Sequence, residues 1–306
     1  MKISFIGAGN VGSTAAMMIA QKGLGDVVLV DIAEGIPQGK ALDIQHAMPI
    51  HGSNARITGS NDYSEIRGSD VIVVTAGVPR KPGMSRDDLL KVNEGIVRSI
   101  ARHIKEFAPD SVVIVVTNPL DAMVYAILKE TDFPPERVIG MAGVLDSTRF
   151  RTLISQATGA KPENVEAMVL GGHGKSMVPL IKHTKVSGRP ISEVLDNSKI
   201  EELVERTRNS GAEVISHLKT GSAYYAPGTA IAEMVEAVLM DSGKILPVSA
   251  YLQGEYGYSN IYLGVPAAIG KQGVVSIIEL DLSENEKNLL GKSAEHVREL
   301  VGKLGN

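Results

Sequence analysis

The sequence of 306 residues contains no cysteine, which excludes a disulfide framework, a thiol nucleophile and a cysteine-ligated zinc site. Its charge is nearly balanced, because 31 basic residues stand against 35 acidic ones and no long basic run is present. A formal charge of -4 gives no electrostatic footprint for nucleic acid or an anionic membrane. Small molecules are therefore the expected partners.

Long hydrophobic runs are also missing. No apolar stretch reaches the roughly 18 uninterrupted residues that a membrane-spanning helix needs. The chain opens with the strand-like MKISFIGAGN rather than with the charged and apolar regions of an export signal. We therefore expect a soluble, cytoplasmic protein, in which 43% hydrophobic composition is ample for a substantial core.

The first half of the chain has the pattern of a doubly wound α/β domain. Short runs rich in valine and isoleucine recur at residues 3–6, 27–30, 71–74 and 112–116. Continuous apolar strands of this kind are typical of a parallel sheet that is covered on both faces. Helical spacing of apolar residues predicts crossover helices at residues 13–22, 93–107 and 122–130.

After about residue 145 the pattern changes to that of a mixed α+β domain. Helices are predicted at residues 199–218, 230–239 and 283–304. Three strand-like runs with glycine-containing turns between them indicate antiparallel strands, at residues 245–252, 261–265 and 274–280. We therefore predict two domains, residues 1–144 and residues 145–306.

The first chemical motif, GAGNVG, occupies residues 7–12 between a strand and a helix. Its glycines allow a tight turn and let backbone amides approach a pyrophosphate at the helix N-terminus. Asp31, at the end of the second strand, can accept hydrogen bonds from an adenine-ribose diol and would repel a 2′-phosphate. The motif predicts a dinucleotide site that prefers NAD to NADP; a glycine-rich turn with a helix-capping Asp31 is the alternative.

A second cluster, at residues 76–90, follows a strand where α/β folds place ligand-binding loops. Two prolines and a glycine disfavour a regular element there. Positive charge is concentrated on it, at Arg80, Lys81 and Arg86. Either a lid that closes over an anion or a solvated basic loop is expected.

Asn118, just beyond the next buried strand, is either a hydrogen-bond donor to a substrate oxygen or a turn-forming residue before proline.

Two further segments, VLDSTRFR and VLGGHGKSMVP, contain candidate proton-transfer residues. Asp146 and Arg149 are three positions apart and share one helical face if that segment is a helix. His173 stands between glycines, which favours an accessible imidazole. A carboxylate partner would orient the ring and favour its charged form. Distance along the sequence does not establish that Asp146 and His173 meet.

Motifs typical of other enzyme and metal-binding classes are incomplete or absent in the sequence. GHGKS resembles a phosphate-binding loop, but the glycine required five positions before Gly174 is replaced by Val169. The HExxH helix, the EF-hand loop and the G-x-S-x-G nucleophile elbow are absent from the sequence.

Taken in order, the motifs resemble those of the lactate/malate dehydrogenase family, and closely resemble its lactate-dehydrogenase-like malate dehydrogenases. The motifs are GAGNVG, AGVPRKPGMSR, TNPLD, GVLDSTRFR, GGHG, TGSAYYAPG and LQGEYGYSNIYLGVPAAIGKQGV. The likeness covers almost the whole chain. It implies a Rossmann domain followed by a catalytic α+β domain, with NAD as cofactor and no metal. It also implies malate and oxaloacetate as substrates, and homodimers or homotetramers.

The family pattern also implies roles for single residues. His173 would donate and accept the proton, and Asp146 would orient it. Arg149 would hold the C1 carboxylate of the substrate through a bidentate pair. The cofactor contacts that the resemblance implies are Gly7, Gly9, Asn10, Val11, Gly12, Asp31, Asn93, Thr117 and Asn118.

Three residues are implied to act on the rest of the substrate. Arg86 would move in with the lid and polarise the carbonyl group, and Asn118 would hydrogen-bond the same oxygen. Arg80 matches the position where malate enzymes place arginine and lactate enzymes commonly place glutamine. Because an unpaired charge in a closed site costs several kcal/mol, Arg80 should favour a dicarboxylate.

Lys175 departs from the family pattern, which usually has an acidic residue two places after the histidine. In an extended segment these side chains would lie about 7 Å apart and repel by roughly 0.6 to 2.4 kcal/mol, opposing protonation of His173. A solvent-screened or subunit-interface lysine is the alternative.

Two alternative functions are a dehydrogenase of lactate or other 2-hydroxy acids, and a catalytically silent NAD-binding protein.

Overall fold

The computed structural model describes residues 1–79 and 83–305 of the chain. Its helices are α1 (Asn10–Gln21), α2 (Ile36–His51), α3 (Arg86–Phe107), α4 (Leu120–Thr131), α5 (Gly143–Thr158), α6 (Asn197–Leu218), α7 (Tyr225–Leu239) and α8 (Glu284–Val301). The strands of its first half are β1 (Lys2–Ile6), β2 (Asp26–Val30), β3 (Ile57–Ser60), β4 (Val71–Val74), β5 (Val112–Val115) and β6 (Val138–Gly140). Those of its second half are β7 (Val165–Glu166), β8 (Val169–Leu170), β9 (Val178–Pro179), β10 (Lys185–Val186), β11 (Arg189–Pro190), β12 (Lys244–Gln253), β13 (Ser259–Gly270) and β14 (Gly273–Ile277).

One nine-stranded sheet runs through both halves of the described chain, in the order β14-β13-β12-β6-β5-β4-β1-β2-β3. Strands β1 to β6 are parallel, as the valine-rich runs predict, whereas β12, β13 and β14 are antiparallel. The two parts join where Ser249 of β12 pairs with Gly140 of β6. The fold is therefore a doubly wound, Rossmann-like sheet followed by a C-terminal α/β part.

Helices bury both faces of the parallel sheet, which explains why its strands are apolar throughout. Ile3 and Phe5 of β1 belong to a core with residues of α1 and α7, and Ile6 belongs to the core on the other face with residues of α3 and α4. Strands β4 and β5 are buried at every position. The carboxyl ends of these strands, where ligands bind in such folds, carry the loops that contain the predicted cofactor contacts.

The loop prediction for residues 76–90 is wrong in its last part, because α3 begins at Arg86. The Oγ atom of Ser85 accepts the Asp88 N–H at 3.0 Å, and an Asp88 carboxylate oxygen accepts the Ser85 N–H at 3.0 Å. This capping box starts a helix immediately after the residues that disfavour one. Arg80 lies outside the described residues, and so does the side chain of Arg86.

Sequence patterns missed three elements of the sheet domain, namely α2, β3 and β6. Gly39 and Pro49 interrupt the pattern of α2, although its buried residues recur with helical spacing at Pro37, Ala41, Ile44 and Met48. Strand β3 contains a glycine, and β6 has only three residues. The predicted domain boundary after residue 144 falls in the first turn of α5, and the division there stays a prediction. Within residues 1–79 and 83–305, no helix is long and apolar enough to span a membrane.

Candidate active site

The glycine turn before α1 leaves room for a phosphate group. A Cβ added to Gly7 would lie 2.5 Å from the amide nitrogen of Ala76, and one added to Gly12 would lie 2.2 Å from the carbonyl oxygen of Gly7. Packing therefore requires both glycines. A Cβ added to Gly9, the N-cap of α1, would meet nothing within 4 Å. The helix N-terminus is thus open at Gly9, and a dinucleotide pyrophosphate fits there.

The carboxylate of Asp31 is fixed beside this turn. One of its oxygens accepts the Ala8 N–H at 2.7 Å, and the other accepts the Ala33 N–H at 3.0 Å. A carboxylate has about four acceptor positions, so two bonds leave capacity for a ribose diol. The location at the end of β2 fits the predicted cofactor contact.

Two of the predicted cofactor residues hold the loops together. The buried Asn93 accepts the Val78 N–H at 2.9 Å and donates to the carbonyl oxygen of Asn118 at 2.7 Å. The Thr117 hydroxyl donates to the carbonyl oxygen of Ala76 at 2.6 Å. Direct contacts of Asn93 and Thr117 with the cofactor stay predictions.

Three more residues are predicted to contact the cofactor, namely Asn118, Asn10 and Val11. Asn118 is exposed, and it precedes Pro119 through a cis peptide bond. Asn10 is exposed and its side chain accepts from Lys40 Nζ at 3.4 Å, while Val11 is half-buried.

The structure brings His173 and Asp146 together. Helix α5 supplies Asp146, and the turn between β8 and β9 carries His173. The ring Nδ1 lies 2.8 Å from Oδ2 of Asp146, whose side chain is 2% exposed, while the His173 side chain is 17% exposed. When Nδ1 donates to a carboxylate, Nε2 is the ring nitrogen left to exchange a proton with a substrate.

Several charges set the protonation of this ring. Burial lowers the pKa of His173, but the charge of Asp146 and its hydrogen bond raise it, and the net result is a raised pKa. The charge of Arg149 opposes protonation, and the charge of Asp121 supports it. The imidazolium is therefore stabilised inside a partly closed site.

Arg149 follows Asp146 by one turn of α5, as the three-residue spacing predicts. Its Nη1 donates to Oδ1 of Asp146 at 3.2 Å, and the side chain is 16% exposed. A guanidinium has five N–H donors, so the remaining ones can hold a substrate carboxylate. Helix α6 passes close by at Gly211, where an added Cβ would lie 3.8 Å from Nη2.

Lys175 is exposed and lines a cavity of about 360 Å³ together with Arg208 and Lys292. Among the described residues, the largest effects of charge on the His173 ring come from Asp146, Arg149 and Asp121. This placement favours the solvent-screened interpretation of Lys175 over direct repulsion of the ring.

Sequence reasoning missed two buried residues of the site, Asp121 and Ser249. Asp121 stands inside the TNPLD motif, but an acidic residue in the first turn of a helix is normally a surface residue that interacts with the helix dipole. The available signal was its position in the otherwise apolar run LDAMVYAIL, which forms a helix with few exposed positions.

The glycine turn and the histidine-carboxylate pair define a class of protein, the dinucleotide-dependent oxidoreductases. The family model described as lactate/malate dehydrogenase, NAD binding domain, matches residues 1–140. The model described as lactate/malate dehydrogenase, alpha/beta C-terminal domain, matches residues 143–304. The chain belongs to the lactate/malate dehydrogenase family and is an NAD-dependent oxidoreductase of that family.

Similar solved structures include malate dehydrogenases and a lactate dehydrogenase. The malate dehydrogenase of Cryptosporidium parvum is 47% identical with a TM-score of 0.96, over 99% of this chain and 98% of that one. The malate dehydrogenase of Picrophilus torridus in its apo form is 48% identical with a TM-score of 0.96, over 98% and 96%. The lactate dehydrogenase of Cryptosporidium parvum, complexed with lactic acid and nicotinamide adenine dinucleotide, is 46% identical with a TM-score of 0.96, over 98% and 96%.

Proposed function

We propose that the chain is a malate dehydrogenase that interconverts (S)-malate and oxaloacetate, with His173 as the proton acceptor and donor. The observation that carries this proposal is the 2.8 Å contact between Nδ1 of His173 and Asp146, with Arg149 on the same turn of α5. A proton-transfer group and a carboxylate-binding group are the two parts that a 2-hydroxy acid requires.

His173 handles the proton in both directions. When bound, NAD⁺ supplies the chemistry of accepting a hydride from C2 of the hydroxy acid. Neutral His173 takes the hydroxyl proton at Nε2, and the carboxylate of Asp146 stabilises the imidazolium that forms. In the reverse direction the imidazolium returns this proton to the C2 oxygen.

Three further residues bind the substrate in this proposal. Arg149 holds the C1 carboxylate, Asn118 hydrogen-bonds the C2 oxygen, and Arg86 polarises the C2 carbonyl group. Hydrogen-bond donors and positive charges that face the developing negative charge on this oxygen stabilise the transition state.

Arg80 selects the dicarboxylate in this proposal. Its support is the resemblance in sequence and the similarity to two enzymes named malate dehydrogenase. A second carboxylate would pair with Arg80, whereas pyruvate would leave that cation unpaired in a closed site. Lactate dehydrogenase is the second candidate, because a lactate dehydrogenase complexed with lactic acid is 46% identical.

An NADH-oxidation assay with oxaloacetate and pyruvate side by side tests the substrate. We expect kcat/KM for oxaloacetate to exceed that for pyruvate by roughly 10²-fold or more, and Arg80→Gln to shift the ratio toward pyruvate. Lys81→Gln, which removes a neighbouring charge, is the matched control and should leave the ratio unchanged. An unchanged ratio in Arg80→Gln would contradict the role of Arg80, and a preference of the wild type for pyruvate would favour the lactate enzyme.

Assembly as a homodimer or homotetramer is proposed from the resemblance alone. Sedimentation equilibrium of the purified chain tests it, and a monomer at assay concentration would contradict it.

A further inference from the structure

Asp121 is a buried carboxylate that the proposed chemistry does not use. It lies in the first turn of α4 and is 4% exposed. Its Oδ2 accepts the backbone N–H of His173 at 3.0 Å, and its Oδ1 accepts the hydroxyl of Ser249 at 2.7 Å. One carboxylate therefore connects α4, the turn that carries His173, and strand β12.

A second hydrogen bond holds the turn at the residue before His173. The backbone N–H of Gly172 donates to the hydroxyl of Ser293 on α8 at 2.7 Å, next to the bond from His173 to Asp121. A Cβ added to Gly172 would lie 3.0 Å from Oγ of Ser176 and 3.3 Å from Oδ2 of Asp121. The position of the His173 backbone is thus set by close packing and by hydrogen bonds to two other elements.

Hydrogen bonding alone does not require a charge at this position. Burial raises the pKa of Asp121, while the bonds from Ser249 and from the His173 N–H lower it, and the net result is a raised pKa. Its ionised form is therefore less stable in the fold than in water. The amide oxygen of asparagine could accept from the same backbone N–H with less desolvation. A charged residue at a buried site next to a reactive histidine indicates that the charge itself has a function.

We propose that Asp121 is a positioning residue for His173. Its carboxylate fixes the backbone of the histidine, and its negative charge joins that of Asp146 in stabilising the imidazolium. Asp146 thus holds the ring at Nδ1, while Asp121 holds the main chain of the same residue. This inference rests on the proposed role of His173 in proton transfer.

Among the residues that the structure describes, two further charges act on the ring and a third lies on the same turn. Asp146 and Arg149 face it from α5 with opposite effects, and Lys175 on the same turn is exposed. Removal of the Asp121 charge should therefore lower the pKa of His173. Only Asp146 would then raise this pKa, while burial and the charge of Arg149 would still lower it.

Asp121→Asn separates charge from geometry, because asparagine keeps an acceptor for the His173 N–H. We expect the variant to fold with an unchanged or higher Tm, since the substitution removes a buried charge. The His173 imidazole, followed in the cofactor-free protein by NMR with ¹³C-labelled histidine and assigned from His173→Gln, should titrate lower by on the order of half a pH unit. The upper pH limb of kcat/KM for oxaloacetate reduction should move by the same amount. Asp110→Asn, an equal charge change at an exposed residue, should move neither.

Asp121→Ala tests positioning, because it leaves the His173 N–H without this acceptor. We expect kcat to fall by roughly 10-fold or more while the Kd for NADH, measured by fluorescence, stays within about twofold. A folded Asp121→Asn variant with an unmoved His173 titration would overturn the electrostatic part of the proposal. Full kcat in Asp121→Ala would overturn the positioning part. If that variant does not fold, Ser249→Ala replaces it, because it removes the hydrogen bond that fixes the Asp121 carboxylate while the His173 N–H keeps its acceptor. We then expect a smaller fall in kcat, of about twofold or more, with an unchanged Kd for NADH, and full kcat would overturn the positioning part.

A different experimental result would show that the proposed function is wrong. It would appear as a wild type inactive with oxaloacetate, or as a His173→Gln variant that keeps its reductase activity. The NMR titration requires no turnover, so it decides the effect of the Asp121 charge in either case.

Discussion

Nδ1 of His173 lies 2.8 Å from Oδ2 of Asp146, although 27 positions separate the two residues in the chain. Helix α5 holds the carboxylate in a buried position, and the β8–β9 turn brings the ring to it. The contact orients the imidazole and raises its pKa against the effect of burial and of Arg149.

Asp146→Asn should lower the pKa of His173 and reduce kcat for oxaloacetate reduction by about 10²- to 10⁴-fold. An amide removes the charge that stabilises the imidazolium and no longer selects the ring tautomer. The wild-type kcat/KM for oxaloacetate reduction should be high at low pH and fall with a midpoint above 6.5, the ordinary pKa of histidine. The kcat/KM for malate oxidation should rise over the same pH range, because that direction needs neutral His173. Asp43→Asn, at an exposed position of α2, is the matched control.

The same raised pKa predicts the sign of a stability effect. Protonation of His173 stabilises the fold fully below about pH 6.5, and this contribution is lost as pH rises through the higher folded-state pKa. Urea unfolding of the wild type and Asp146→Asn across this range measures it. A stability difference that does not shrink with rising pH would argue against the pair as its source.

Lys175→Asp should leave the pH profile of oxaloacetate reduction superimposable on that of the wild type. Lys175 is exposed, so water and salt screen its charge from the His173 ring. Full pH profiles of kcat/KM at two ionic strengths check this expectation. A profile displaced to higher pH at low salt would show that the lysine does act on the ring.

Gly12→Ala should destabilise the fold, whereas Gly9→Ala should leave its stability unchanged and weaken cofactor binding. The new Cβ of Gly12→Ala would lie 2.2 Å from the carbonyl oxygen of Gly7, so we expect a loss of about 1–3 kcal/mol of unfolding free energy. The Cβ of Gly9→Ala meets open space, so its Tm should be unchanged while its affinity for NADH falls by roughly 10-fold, because the pyrophosphate needs that space.

Thermal melts and NADH fluorescence titrations measure both glycine effects. Gly39→Ala, at an uncrowded position of α2, controls for glycine replacement itself. Normal NADH affinity in Gly9→Ala would contradict the placement of the pyrophosphate.

Features that depend on local order were predictable from sequence. The run at residues 71–74 predicts β4 with its observed bounds, and the glycine motif predicts the turn before α1. The spacing of Asp146 and Arg149 predicts their shared face, because α5 is a regular helix. Short or interrupted elements were not predicted from the sequence. Strand β6 has only three residues, and the capping box of α3 directly follows residues that disfavour a helix.

Features that depend on distant residues were not predictable from spacing. No periodicity shows that Asp121 is buried or that β12 extends the parallel sheet beside β6. Of the two interpretations of Lys175, repulsion of the ring required an extended geometry at close range, and the exposed side chain favours the solvent-screened alternative.

The parallel sheet, the dinucleotide turn and the candidate residues follow from the sequence, because periodicity, glycine spacing and residue chemistry are properties of neighbouring positions. The tertiary structure alone decided that His173 meets Asp146 and Asp121, and that one of these carboxylates binds its ring while the other binds its backbone. Those contacts join α4, α5 and the β8–β9 turn. Their physical reason is the packing of distant elements, which places two buried charges within hydrogen-bond distance of one residue.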